Sequence, residues 1–204
     1  MVSKIPYSFV YIIERLSKGI FQMSNSSREQ LYRLDEKAVE ELVERYRIPL
    51  LYFITGFLGE LTDAEDVVSE TIVKLLVKKP LLRSEKALKT YLYATAKHFA
   101  VDRLRKRKRE KQYLENATWL AKTDIAYIDE TLCDTEDKRQ LAKALRSLSP
   151  EYRQVLHLSY FEDLSTPEIC KILGKNKKQI YNLLARARAA LAEIIEKEDS
   201  QNEI

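Results

Sequence analysis

The chain has 204 residues, 45% of them hydrophobic and 32% charged, which is enough for one large domain or two small ones under a heavily charged surface. Four Gly and five Pro are too few for the frequent turns of an all-β fold, and alternating apolar–polar runs are scarce, so the composition predicts an all-α chain. The net charge of +4 says little as a sum, and its distribution along the chain says more.

Residues 1–28 read as an N-terminal extension. The apolar cluster Tyr7, Phe9, Val10, Tyr11, Ile12 and Ile13 is followed by Arg15 and Lys18, without the small-residue cleavage site of a secretory leader. Met23 precedes the polar run Ser24 to Glu29, and an alternative translation start is expected there. No stretch is long and apolar enough to suggest insertion in a membrane.

Residues 29–109 form the first helical block. Leu42, Leu50, Phe53, Ile54 and Phe57 suit a buried stripe, and Pro49 predicts a kink or break near Ile48. Gly56 and Gly59 mark a helix end. The next helix is expected to start at Thr62 or Asp63, either of which can cap, with Val67, Ile72 and Leu75 or Leu76 as its apolar face and Pro80 closing it. Its opening is acidic: Asp63, Glu65, Asp66 and Glu70, with no Lys or Arg between Arg47 and Lys74. A helix dipole favours one or two acids in a first turn, and the excess reads as a docking surface for a basic partner. A loop from Lys78 to Lys86 leads to a helix from Ala87 to about Lys108.

That helix ends in the run Arg103 to Lys111, in which seven of nine residues are basic. Tyr91, Tyr93, His98 and Phe99 precede it. Cations that hold phosphates beside rings that stack on unpaired bases point to nucleic acid, against the plain reading of a solvated charged face. A membrane surface is the rival for a basic helix, but the apolar residues needed for insertion are committed to the core.

Residues 110–137 read as an acidic linker, with Asp124, Asp129, Glu130, Asp134, Glu136 and Asp137 and one helical piece around Tyr113 to Lys122. Residues 138–195 form a second helical block, and 196–204 a flexible tail. Leu141, Leu145 and Leu148 mark its first helix. Ser149-Pro150-Glu151 starts the next, with Tyr152, Val155, Leu156 and Tyr160 facing inward. Ser165, Pro167 and Glu168 then give a capping-box start, Gly174 a stop, and Asn176 a second cap. Beyond it Ile180, Leu183, Leu184, Ala187 and Leu191 recur at helical spacing, while Lys177, Lys178, Gln179, Tyr181, Asn182, Arg186 and Arg188 occupy the other faces. No Asp or Glu lies between Glu168 and Glu193. This is the pattern of a helix-turn-helix whose second helix enters a DNA major groove.

Cys133 and Cys170 have neither metal-ligand spacing nor a disulfide framework, which fits a reducing cytoplasm. Cys170 is expected to be a small buried core residue. Cys133 falls in the linker among acids, where nothing lowers its pKa. No metal or cofactor is expected.

Asp63-Ala64-Glu65-Asp66-Val67-Val68-Ser69-Glu70 resembles the D-A-E-D motif in region two of bacterial sigma factors. Tyr91-Leu92-Tyr93-Ala94-Thr95-Ala96-Lys97-His98, followed by Asp102-Arg103-Leu104-Arg105, is similar to the W-L-Y-x-I-A-x-N and D-x-L-R patterns of the same region. Leu148 to Val155 and the helix-turn-helix resemble region four. Two regions on a short linker resemble the extracytoplasmic-function group of the sigma-70 family, over roughly residues 35–194.

The resemblance implies a cytoplasmic protein that binds core RNA polymerase and promoter DNA, is held back by an anti-sigma factor, and is not an enzyme. Asp63, Glu65, Asp66 and Glu70 would dock on the polymerase clamp helices. The loop Lys78 to Lys86 would hold a flipped base of the minus-ten element. Tyr91, Lys97, His98, Arg103, Arg105 and Lys106 would contact that element, and Lys177, Lys178, Gln179, Tyr181, Asn182, Arg186 and Arg188 would read the minus-thirty-five element. Ser69 stands where the family has Gln, Tyr91 where it has Trp, and His98 where many members have Asn, so base preference does not carry over.

Two other readings compete. A stand-alone homodimeric regulator leaves both charged helices unexplained and lacks a spare apolar helix for its interface. A nucleic-acid enzyme would need a metal set, a phosphate loop or a nucleophile–base pair, none of which the sequence supplies. His98 and Asp102, four apart on a helix, read as a surface pair.

Overall fold

The computed structural model describes residues 36–113 and 136–202, and the expectations for residues 1–35 and 114–135, Cys133 included, lie outside them. The described residues are helical and fall into two compact units, one before Cys133 and one after it.

The first unit packs three helices on one another: α1 (Glu36–Leu58), α2 (Leu61–Lys78) and α3 (Glu85–Tyr113). The sequence predicts a kink or break near Ile48; α1 is not broken there and runs through Pro49 as one helix. The physical reason is burial on its C-terminal side, where Leu50, Leu51, Tyr52, Phe53 and Ile54 are all inside. Burying large apolar side chains is worth about 1.5–3 kcal/mol each, against about 3 kcal/mol for an interior proline. Phe53 meets the buried Tyr93 of α3 edge-on, with ring centroids 5.0 Å apart, and this contact anchors the core.

Gly59 ends α1 at φ 76°, with its N–H on Thr55 O at 2.8 Å. α2 starts earlier than expected, at Leu61, with Glu60 in the capping position and no side-chain cap. The Glu60 carboxylate is drawn instead to Arg107 of α3. α2 closes on Lys79 at φ 42°, and Pro80 comes next. α3 begins two residues ahead of the expected Ala87. Ser84 Oγ accepts the Ala87 N–H at 3.1 Å, a cap that the sequence pattern alone did not single out. Glu85 in the first turn bonds Arg45 of α1 at 2.6 Å.

The second unit contains α4 (Glu136–Ser147), α5 (Pro150–Leu156) continued by a wide π turn (His157–Phe161), α6 (Thr166–Leu173) and α7 (Lys177–Asn202). α7 packs on α4, α5 and α6, and Ile180, Leu184, Ala187 and Leu191 are buried in that contact. Ser149 caps α5 through the Tyr152 N–H, with Pro150 in its first turn. Tyr152 and Tyr160 are only partly buried, whereas Val155 and Leu156 are fully inside. Cys170 is partly exposed rather than buried; Ile169, Ile172 and Leu173 take the core positions of α6. α7 extends as a helix to Asn202, into the stretch from 196 read as a tail.

Candidate nucleic-acid and protein interfaces

Residues on α3 are sorted by helical phase. At 100° per residue, Tyr91, His98, Asp102, Arg105 and Arg109 share one face, and Arg103 and Arg107 lie together on another. The second face packs toward the start of α2 and meets its acids. Arg103 Nη1 lies 3.3 Å from Asp63 Oδ1 and 3.2 Å from Asp66 Oδ2, and its Nη2 lies 2.8 Å from Glu70 Oε1. Arg107 bonds Glu60 at 2.9 Å, contacts Asp63 Oδ2, and donates to Leu58 O. Partial burial works against the Arg103 charge, but bonds to Glu70 and Asp66 outweigh it and hold the guanidinium above its ordinary range.

This geometry redistributes the expected roles. Four carboxylates, those of Glu60, Asp63, Asp66 and Glu70, share two guanidiniums, so the cluster keeps a negative excess. Asp63 is only 24% exposed and faces both arginines, so it braces the junction of α2 and α3. Asp66 at 68% and Glu70 at 49% remain open to a partner. Glu65 is half-exposed and bonds Arg47 of α1 at 2.8 Å. Arg103, expected on the minus-ten element, is turned to the acids instead, because its face of α3 is the one packed on α2.

Of the remaining α3 residues, His98 is exposed with Nε2 3.2 Å from Asp102, which also bonds Arg105 at 3.2 Å. Arg105, Lys106, Lys108 and Arg109 are exposed; Tyr91 and Lys97 are partly buried. Tyr93, read as a stacking residue, is wholly buried against Phe53 and offers no face to a base. Phe99 is partly buried under the Lys74 ammonium, 4.7 Å from the ring centroid. The sequence places Glu60 just before the acids of α2 and Arg107 inside the basic run, but does not pair them. The four-residue spacing of Arg103 and Arg107 was the available signal.

In the second unit the helix-turn-helix is built by local chemistry. Glu168 Oε2 accepts from Ser165 N at 2.7 Å and from Ser165 Oγ at 2.6 Å. Gly174, at φ 68°, ends α6 with its N–H on Cys170 O. Asn176 and Gln179 then cap α7 reciprocally, each side-chain oxygen accepting the other's backbone N–H at 2.9 Å. Gln179 thus combines exposure with a capping duty. Lys175 bonds Glu151 at 2.8 Å and pins the turn to α5. Lys177, Lys178, Tyr181, Asn182 and Arg186 are exposed, with Ala185 between them. Arg188 is partly buried, its guanidinium 5.7 Å from the Tyr160 ring centroid, so it braces α7 from the side.

An acid-faced helix beside a basic one, and a separate helix-turn-helix with a cationic reading face, define a DNA-binding protein that also presents a protein-docking surface. Residues 42–110 match the family model "Sigma-70 region 2", and residues 138–191 match "Sigma-70, region 4". The RNA polymerase sigma factor SigV of Bacillus subtilis is 30% identical over 137 residues, covering 67% of this chain and 78% of that one. The sigma factor YlaC of the same organism is 26% identical over 82% of this chain and 97% of its own. The ECF RNA polymerase sigma factor SigW, also from Bacillus subtilis, is 25% identical over 80% of this chain and 91% of its own. A solved structure of the sigma factor RpoE from Bartonella quintana with the anti-sigma factor NepR superposes with a TM-score of 0.54 at 23% identity, covering 77% of this chain and 98% of that one.

The chain belongs to the sigma-70 family, in its extracytoplasmic-function group. Members are transcription initiation factors rather than enzymes. They bind core RNA polymerase and promoter DNA and direct promoter-specific initiation.

Proposed function

We propose that the two units divide this task, with residues 29–109 docking on core polymerase and engaging the minus-ten element and residues 138–195 reading the minus-thirty-five element. The observation that carries this reading is the separation of charge on the first unit. Asp66 and Glu70 stay exposed on α2, while His98, Arg105, Lys106 and Arg109 stay exposed on α3. Such a unit offers carboxylates to a basic protein and cations to phosphate at the same time. Tyr91 shares the cationic face and Lys97 flanks it. Arg103 serves the docking side. In the second unit Lys178, Tyr181, Asn182 and Arg186 project toward base edges, and Lys177 and Gln179 toward the backbone near the start of α7.

Strand separation in this scheme is an exchange in which base pairs are lost while unpaired bases gain stacking and pocket contacts, with no covalent step. The protein works in the cytoplasm, where its polymerase is, and a partner of the anti-sigma kind holds it inactive. The RpoE–NepR complex supports that last assignment as a precedent in a protein of the same fold. Among the described residues no helix is long and apolar enough to cross a membrane. In vitro transcription with core polymerase, with and without this protein, is the test. Promoter-specific transcripts that depend on it are expected, and failure to bind core enzyme refutes the proposal.

A further inference from the structure

The exposed large apolar side chains of the described residues are not scattered. Val73, Val77 and Leu81 stand 57%, 72% and 75% open, and Tyr181 of the second unit is the fourth. Three of the four fall between positions 73 and 81, whereas isolated surface aliphatics would need no explanation. The charge around them is one-sided. No Asp or Glu lies between Glu70 and Glu85, and Lys78, Lys79, Arg83 and Lys86 are exposed. Glu85 is drawn inward to Arg45. Cations at a helix C-terminus suit its dipole, which accounts for Lys78 but not for the aliphatic residues beside it. Lys79 is held at φ 42° and ψ 55°, with its N–H on Leu75 O. Glycine is the ordinary residue at such a left-handed helix end, so a lysine there keeps a cation and accepts backbone strain.

We propose that Val77 and Leu81, together with Lys78, Lys79, Arg83 and Lys86, form a reversible docking patch for an anionic phospholipid surface. The cations select an anionic occupant. Among anionic occupants, single-stranded nucleic acid is held by rings that stack on bases, and neither apolar residue of the patch is a ring. Branched aliphatic side chains beside lysines and arginines are the chemistry of an interfacial anchor. The aliphatic tips enter the headgroup boundary while the cations stay at the level of the phosphates. On α3 the apolar residues that such an anchor needs, among them Leu92, Tyr93, Ala96 and Ala100, are inside the core; at the end of α2 they are outside it. The acids of α2 do not forbid the contact. Glu70 precedes Val77 by about 10 Å along the helix at 1.5 Å per residue, beyond a Debye length of about 8 Å at physiological salt. It is also bonded to Arg103. The attachment is peripheral, since a small aliphatic patch with its cations holds a surface and releases it.

The test is sedimentation of the full chain with vesicles of phosphatidylcholine alone and with vesicles of equal parts phosphatidylglycerol and phosphatidylcholine. The parent should pellet with the second and stay in solution with the first. Val77→Ser/Leu81→Ser should partition on the order of tenfold more weakly. Its thermal midpoint should match the parent, since both positions are exposed. Lys78→Gln/Lys79→Gln should lose about 25-fold, roughly a factor of five for each cation. In a Trp119→Phe background, Leu81→Trp places the chain's single Trp in the patch, and its emission should move to the blue on anionic vesicles. A parent that ignores both kinds of vesicle overturns the proposal. So does anionic binding that survives the double serine change, because that is charge attraction for which the run Arg105 to Arg109 suffices. An unshifted Leu81→Trp emission on bound protein overturns it as well. A double serine variant whose only defect lies in binding single-stranded promoter DNA or a protein partner does the same.

Discussion

Arg103 shows how a residue's role is set by its phase on a helix. It sits in a run of cations that reads as a phosphate-binding patch, yet its guanidinium is taken up by Asp63, Asp66 and Glu70. Arg103→Ala is therefore expected to destabilise the first unit by about 1 kcal/mol, because it leaves the partly buried Asp63 beside the exposed Asp66 and Glu70 with one cation fewer among them. The thermal midpoint should fall by several degrees, and the deficit should shrink in about 1 M salt, where such repulsion is screened. Arg105 is the contrasting case. It is exposed and its partner Asp102 is exposed too. Arg105→Ala should leave the midpoint within about 0.5 kcal/mol of the parent. It should also lower the salt slope of single-stranded promoter binding by about 0.7, the share of one phosphate contact. Two arginines two residues apart thus separate stability from binding, and a denaturation series beside a salt series measures both.

At the scale of elements, local chemistry was legible in the sequence and long-range pairing was not. In α6 and in α7 the capping residue and its partner lie three residues apart, Ser165 with Glu168 and Asn176 with Gln179, and Ser165, Gly174 and Asn176 could be assigned without knowing the fold. Asn176→Ala should cost about 1 kcal/mol, and Gly174→Ala a similar amount because its φ of 68° is poorly tolerated by a Cβ. Both are read from thermal melts of the second unit. The acid–arginine junction was illegible, because its partners are more than 30 residues apart and meet only once α2 packs on α3. The same distance explains the misplaced start of α2: local preference offered Thr62 or Asp63, and tertiary pairing of Glu60 with Arg107 moved it. Tyr93 was misjudged because ring chemistry says nothing of which face is buried, and Phe53 decides that.

At the scale of the whole molecule, the proposed division has two units on one chain bind promoter and polymerase together. Neither needs high affinity alone, since tethering turns the second contact into an intramolecular one. Arg186→Ala should accordingly weaken the minus-thirty-five preference by about 1–3 kcal/mol while leaving core affinity intact, as checked by transcription from altered promoters beside a core-binding assay. A different boundary lies inside the first unit. Pro49 has no N–H to donate, so the hydrogen-bond ladder of α1 is interrupted between a leading segment, Glu36 to Ile48, and a trailing one, Leu50 to Leu58. The trailing segment holds the continuous buried run; the leading one is held chiefly by Leu42, Tyr46 and the Arg45–Glu85 bond. Opening the front of α1 does not require the back to open. Amide exchange should therefore be faster before Pro49 than after it, with the protein able to loosen its leading edge while its core stays shut.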